Sequence, residues 1–396
     1  MLELMLAFTL LAQGDLEYIG AFRFPVGSFG CSGVSNCFSY GGAAMAYNPA
    51  RNSLFLAGHD HQQKIAEISI PTPSKSTTFT SLPTATVLQP FVDGTEGRLP
   101  LIDEGTVKIG GLLVVGDYLY MSAYSYYDAN GSQQLSHFRR PINLSTKGEV
   151  IGPFKVGGSA GLTSGYMTPI PVDQQAEFGG SALTGNCCIA IVTRTSYGPA
   201  AFSFKPEDIG TLNPVPATPL VFYNSSHKTL GDWNQQSDYF NSTAAIHGIV
   251  FPRETTSILF WGSLGIGPFC YGPGTADKAL EGTTSPGGQP YCYDPTNSAT
   301  GTHAYPYVYQ VWAYNADEMR QAANPWDVKP YAIWRPVLPF RHWNAELGGT
   351  AYDPATQRLY VVQKYASSFG QGVVYVYKIN AAAGSIPNAP TGLVAK

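Results

Sequence analysis

One short unit recurs along this chain, and it dictates how the chain can fold. Residues 41 to 58, GGAAMAYNPARNSLFLAG, and 348 to 363, GGTAYDPATQRLYVVQ, each read as a strand, an Asn/Asp-Pro turn and a second strand. Looser copies run from Gly110 to Ala123, from Gly165 to Arg194 with an insertion, and from Gly248 to Ser263. All five start with Gly and enter an apolar hairpin, which cannot bury its own face and so must stack on the next copy. A third alternating segment follows each hairpin, at 64 to 70, 135 to 139, 200 to 204, 307 to 314 and 373 to 379. A fourth follows four of them, at 86 to 92, 150 to 156, 219 to 223 and 329 to 335. The fifth copy lacks it. Tyr18 to Pro25, YIGAFRFP, matches VIGPFKV at 150 to 156 and supplies the missing strand. The pattern predicts an all-β fold, a β-propeller of five four-stranded blades closed by an N-terminal strand. Six or seven blades are the alternative if 264 to 306 or 166 to 186 hide strands.

Composition agrees. With 43 Gly and 30 Pro in 396 residues, long helices are disfavoured. Charged residues make up 13%, about half the usual share, which with 25 Tyr and 20 Phe argues against disorder. A net charge of -4 without a basic run leaves nothing to neutralise a phosphate backbone, so nucleic acid is not an expected partner. The expected organisation is a signal-like or assembly segment at 1–14, the propeller at 15–380 and a linker or tail at 381–396. That tail, AAAGSIPNAPTGLVAK, resembles a linker and the first strand of a fibronectin type III domain.

Six Cys lie as near neighbours at 31, 37, 187, 188, 270 and 292. Disulfides Cys31 to Cys37 and Cys270 to Cys292 are expected, implying an oxidising compartment. Cys187 and Cys188 read either as a vicinal disulfide or as two buried thiols. Leu2 to Leu11 is an apolar run like the core of a secretory signal, without a preceding Lys or Arg. It is too short to span a bilayer, and no later segment is long and apolar enough to do so. If retained, it should be buried against its own propeller or a neighbouring copy, and residues 1–14 would then support self-association. An extracellular, secreted, cell-surface or virion location follows.

Alternation of loops assigns His59 to His61, 96 to 108, 124 to 134, 194 to 199, 227 to 247, 265 to 306, 341 to 346 and 364 to 370 to one rim, with short turns on the other. Six of seven His fall there, and only His137 is placed within a strand. Residues just before the repeated Gly should point down the channel: Tyr40, Lys108, Ser164, His247 and Glu346. Of these, His247, Glu346 and Lys108 form the candidate acid and base constellation; polar side chains plugging the channel with water are the alternative. Candidate ligand contacts are Tyr40, His59, Asp60, His61, Arg194, Trp233, His303 and Trp343. His59-Asp60-His61 reads either as a metal-ligating tripeptide or as a hydrogen-bonded loop. Asp128 and Asn130 open a DxNG run that is either a turn or the start of a Ca2+ loop lacking its distal Glu. No other cofactor is expected. Sequons at Asn130, Asn143, Asn224 and Asn241 are acceptors where a host glycosylates.

The GGxAYxPxxxxLY unit and the closing YIGAFRFP strand resemble secreted bacterial and environmental β-propeller proteins, most of unassigned function. The five-blade count is also similar in shape to five-bladed glycoside hydrolases, in which acidic residues from different blades meet in the channel. That resemblance implies roles for Glu346, Asp103 and Glu104; the first and fourth copies carry Tyr40 and His247 at the matching places. Three functions are weighed. The first is an extracellular module binding or displaying glycans or a cell surface, with Asp232, Asn234 and Arg341 bonding sugar hydroxyls beside the aromatic rim. The second is a carbohydrate-active enzyme, a hydrolase or a lyase using His247 as base with Lys108 or Arg194 neutralising a uronate. The third is a structural subunit of an extracellular filament or virion.

Overall fold

A computed structural model describes residues 9 to 188, 191, 194 to 340, 346 to 367 and 370 to 380. Strand β1 is Leu16–Arg23. Blade one contains β2 Met45–Asn48, β3 Ser53–Ala57, β4 Ile65–Ser69 and β5 Val87–Val92. Blade two follows with β6 Val107–Val115, β7 Tyr118–Ser125, β8 His137–Pro141 and β9 Ile151–Phe154. Blade three has β10 Met167–Pro169, β11 Ala182–Thr184, β12 Ala201–Phe204 and β13 Ala217–Val221. The fourth begins with β14 Ala245–Val250 and β15 Ser257–Gly265, breaks for an insertion carrying β16 Cys270–Thr275, β17 Cys292–Tyr293 and β18 Thr300–His303, and resumes with β19 Tyr307–Asn315 and β20 Ala332–Trp334. The fifth is β21 Leu347–Asp353, β22 Arg358–Gln363 and β23 Val373–Ile379, completed by β1 in the order β1-β23-β22-β21. The fold is the expected five-bladed propeller. The insertion does hold strands, but they pair into a separate three-stranded sheet and add no blade.

Closure runs antiparallel from Leu16 opposite Ile379 to Arg23 opposite Val373, with an irregularity between Tyr18 and Gly20. The core is divided among the interfaces between blades. One cluster joins Phe55 and Ile65 of blade one to Leu119 and Met121 of blade two. Others join Leu113 to Phe204, Leu183 to Phe260, Trp261 to Val361, and Val374 to Leu54, taking each blade to the next around the ring. Because both faces of a blade are covered, β3, β15 and β21 are buried along their whole length, and β3 and β15 read as largely apolar runs.

The repeated Gly has a steric cause. A Cβ on Gly348 would stand 2.0 Å from the Gly42 carbonyl oxygen, and one on Gly111 2.3 Å from that of Gly165. These backbones approach across neighbouring inner strands, and Gly349 N–H donates to the Gly42 carbonyl at 2.8 Å. Three inner strands also change register beside the motif, at Ile109/Gly111, Ile246/Gly248 and Leu347/Thr350. Such bulges re-aim side chains at the start of the strand.

All three cysteine pairs are bonded: Cys31 to Cys37, Cys270 to Cys292, and the vicinal Cys187 to Cys188. Of segment 1–14, the part from Thr9 onward packs on its own blade four. Thr9 bridges Thr255, Leu11 N–H donates to Ser257 Oγ at 2.8 Å, and the Leu11 side chain is buried with Trp261. Residues 1 to 8, most of the apolar run, lie outside the described residues, as does the tail at 381–396. No helix among the described residues is long and apolar enough to cross a membrane.

Candidate functional site

Strand directions place the loops assigned to one rim together on the face where β2, β6, β10, β14 and β21 begin. The opposite face is not uniformly trimmed. Besides the Asn48 and Asp353 turns, it carries longer connections with α1 Gln175–Phe178 and α2 Ala316–Gln321. Below the mouth the channel narrows to a cavity of about 30 Å3 lined by Met45, Leu112, Leu113, Met167 and Thr350, so chemistry on the axis is confined to the mouth.

Two ion pairs stand there. Lys108 Nζ reaches Asp60 Oδ2 at 2.6 Å and the Asp60 carbonyl at 2.9 Å, tying blade two to the loop of blade one. Lys364 Nζ holds Glu346 Oε1 within blade five. Burial works against the Asp60 charge, but the Lys108 hydrogen bond, helped by Lys364 and His61, holds its pKa below the usual carboxylate range. Burial likewise opposes the Lys364 charge; Glu346 and Asp60 outweigh it and raise the pKa. Both carboxylates therefore act on the same buried ammonium.

His247 sits at the bulge of β14, inside the strand rather than before it as its position ahead of Gly248 suggests. Burial and the Lys364 charge lower its pKa to about 4 against the pull of Glu346 and Asp60, which leaves a neutral imidazole at pH 7. The His59 ring lies edge-on to Tyr40 at 5.5 Å and its Nδ1 accepts the His61 N–H at 3.2 Å. Burial and His61 lower its pKa as well. With Asp60 turned to Lys108, the His59-Asp60-His61 tripeptide is a hydrogen-bonded loop, and no group of three or more His, Cys, Asp or Glu gathers for a metal among the described residues. Asp128 Oδ1 accepts the Ser132 N–H and hydroxyl at 2.7 and 3.2 Å, and Asn130 belongs to that turn. Arg194 donates to the carbonyls of Asp128 and Ala129, a bond between blades two and three.

Beside Glu346 opens a cleft of about 240 Å3 between the start of β14 and the insertion, lined by Ser242, Thr243, Ser263, Thr296, Asn297 and Thr302. The Ser242 hydroxyl is buried there without a partner. His303 forms the wall rather than the surface. In the second strand-borne exception to the expected loop placement, it is buried, with Nδ1 on Asp294 Oδ2 at 2.8 Å and Nε2 on the Ala299 carbonyl at 3.0 Å. Asp294 also accepts from Tyr307 and Thr296, at 2.7 Å each, so the buried carboxylate fixes the Thr296 side of the cleft. Cys270 to Cys292 pins the same insertion.

Aromatic side chains surround this face. Of the seven most exposed aromatics among the described residues, Tyr40, Tyr126, Tyr127, Trp233, Tyr239 and Tyr271 lie on its loops, and Tyr118 is at an opposite turn. Trp233 meets Phe269 edge-on at 5.8 Å, and its carbonyl accepts the Ser242 N–H at 2.9 Å, so it adjoins the cleft. Asp232 is engaged by Lys228 at 2.6 Å. Arg341, His342 and Trp343 lie outside the described residues. Asn241, one of the sequons, is fully buried and donates to the Gly265 carbonyl.

Sequence reasoning passed over Lys364, although it ends the fifth repeat's second strand immediately before a rim loop. It also passed over Asn297 and Thr296, whose neighbours in sequence look like ordinary turn residues.

No family model matches the sequence, nor does any curated protein. Among solved structures, the chain is similar to one from the GH130 family of mannoside phosphorylases, described as containing glycoside hydrolases that target β-1,2 mannosidic linkages in Candida mannan. The identity is 12%, covering 96% of this chain and 99% of that one, with a TM-score of 0.47. A glycosyl hydrolase from Bacteroides ovatus shares 12% identity over 94% and 93%, with a TM-score of 0.38. A β-propeller domain from Myceliophteria thermophila shares 8% over 87% and 84%, with a TM-score of 0.32. At these values they are likenesses of shape and assign no activity.

Proposed function

We propose that this chain is an extracellular propeller that binds glycans in the cleft between Glu346 and the disulfide-pinned insertion. The observation that carries the reading is the juxtaposition of a hydroxyl- and amide-lined cleft with the exposed Trp233, on the face that also holds most of the exposed Tyr. Sugar rings stack on such aromatic faces, while hydroxyl and amide side chains fix their orientation. Three disulfides accord with an oxidising, extracellular location.

Binding is favoured over hydrolysis because the mouth's acids are arranged as anions. Asp60 and Glu346 each hold a lysine, and the Asp60 pKa is lowered, opposite to what a general acid needs. A lyase reading loses its charge neutraliser, since Lys108 is paired and Arg194 is turned to carbonyls. The same pairing favours neutral glycans. For the structural-subunit reading, the contact of Thr9 and Leu11 with their own blade is the relevant geometry, and it supports packing within one copy.

A glycan array, run with a depolymerisation assay on the same panel, tests this. Binding to neutral glycans without cleavage is expected. Trp233→Ala and Asn297→Ala should each weaken it about tenfold without lowering Tm, since Trp233 is exposed and Asn297 lies on a loop. A protein that recognises no glycan, or variants that bind as wild type does, would sink the proposal.

A further inference from the structure

A cavity larger than the glycan cleft lies on the other face. At the opposite end of the channel, an apolar hollow of about 550 Å3 opens between the ends of β10, β14 and β21. Ile170, Val172, Phe251, Tyr352 and three prolines, Pro169, Pro171 and Pro354, supply its apolar walls. That volume is in the range of small-molecule sites, which are concave and mostly apolar with few polar groups.

The walls are held in place by their own bonds. Gln174, buried beneath the hollow, donates to the Thr255 carbonyl at 3.0 Å and so ties the 170 to 175 loop to the turn after β14. Gln175 donates to the Ile170 carbonyl at 3.0 Å, and Phe251 packs edge-on against Phe178 at 5.6 Å. Val172 is nevertheless 85% exposed, an apolar side chain facing water at the lip. On the inner wall, Tyr352 is 9% exposed and its ring completes the apolar lining. Charge narrows the ligand further. Arg253 faces Glu254 at 3.3 Å, and Asp173 adds a second carboxylate, so the rim has one cation for two anions and disfavours an anionic guest.

We infer that this hollow is a second binding site, for a compact, neutral, apolar molecule. The side chains of Met45, Leu112 and Met167 separate it from the mouth, so the two sites bind independently.

Nile red, neutral and apolar, is the probe. Titrated into the intact protein, it should give a saturable, blue-shifted rise in fluorescence. Val172→Asp, at an exposed position that leaves the fold intact, should weaken binding at least tenfold. The anionic 1-anilinonaphthalene-8-sulfonate should bind more weakly than Nile red. Absence of saturable binding, an unchanged affinity in Val172→Asp, or equal affinity for the anionic probe would each overturn the assignment.

Discussion

Tyr18 of β1 and Tyr377 of β23 stand opposite each other in the closing sheet, with ring centroids 5.7 Å apart. Through this pair an early strand completes the blade built by the last three strands, so the ring holds only if both ends of the propeller meet. The Tyr18 hydroxyl is buried without a partner, which separates two contributions of one side chain.

Tyr18→Ala removes the ring and should destabilise the protein by about 2 to 4 kcal/mol. Tyr18→Phe removes only the unsatisfied hydroxyl and should be neutral or stabilising by up to about 1 kcal/mol. Urea midpoints at unchanged m-value measure both. A neutral Tyr18→Ala would show that closure contributes little.

In blade one, the fully buried Glu67 accepts from Asn48 at 2.8 Å, Ser53 at 2.5 Å, Arg51 at 2.9 Å and Gln89 at 2.7 Å. Replacing Glu67 by Ala strands these donors and should cost about 3 to 5 kcal/mol. Arg51→Ala, whose side chain is half exposed, should cost under about 1 kcal/mol. Equal losses would mean that the ion pair, rather than the buried network, is what matters.

At the mouth, Glu346→Ala leaves the buried Lys364 ammonium unpaired. We expect a loss of about 3 kcal/mol from it, largely restored in Glu346→Gln combined with Lys364→Met. Thermal melts of the three proteins give the comparison. Rescue of stability without rescue of glycan binding would place Glu346 in the site as well as in the fold. His247→Ala disturbs no hydrogen bond among the described residues and is the cleaner probe of the mouth.

The insertion should loosen as pH rises. Both His303 nitrogens face acceptors. Burial lowers the pKa, but Asp294 and the Ala299 carbonyl outweigh it and raise the value above the usual histidine range. The stabilisation is therefore complete below about pH 6.5, the unfolded value, and is lost as pH climbs through the folded one. Asp294, held at about 2, keeps its own contribution until strong acid. An NMR titration of the His303 ring, with proteolysis of the insertion followed at each pH, checks this. A ring that titrates below 6.5 would refute it. His137 is the opposite case: burial lowers it to about 3, so its environment favours the fold above pH 6.5 and penalises it as pH falls.

Most of the architecture was legible from residue order alone. The Gly-led hairpin can be read from local chemistry, because strand alternation and Asn-Pro or Asp-Pro turns act within a few residues, whereas the cause of its Gly, the close approach of neighbouring blades, is tertiary. The sequence by itself therefore determined five units, the strand that closes them, the loops that share a rim, and the pairings of Cys31 with Cys37 and Cys270 with Cys292. Tertiary structure decided what those loops do. Glu346 and Lys364 meet because a bulge and a strand end converge, and Asp60 finds Lys108 across a blade boundary. His303 looked like a surface ligand and is instead a buried imidazole bonded to Asp294. The hollow at Tyr352 joins three blades through residues far apart in sequence. Periodicity specifies which face of a strand is buried, but distance and burial across blades set which charges pair and which hydroxyls remain unpaired, and only packing fixes those.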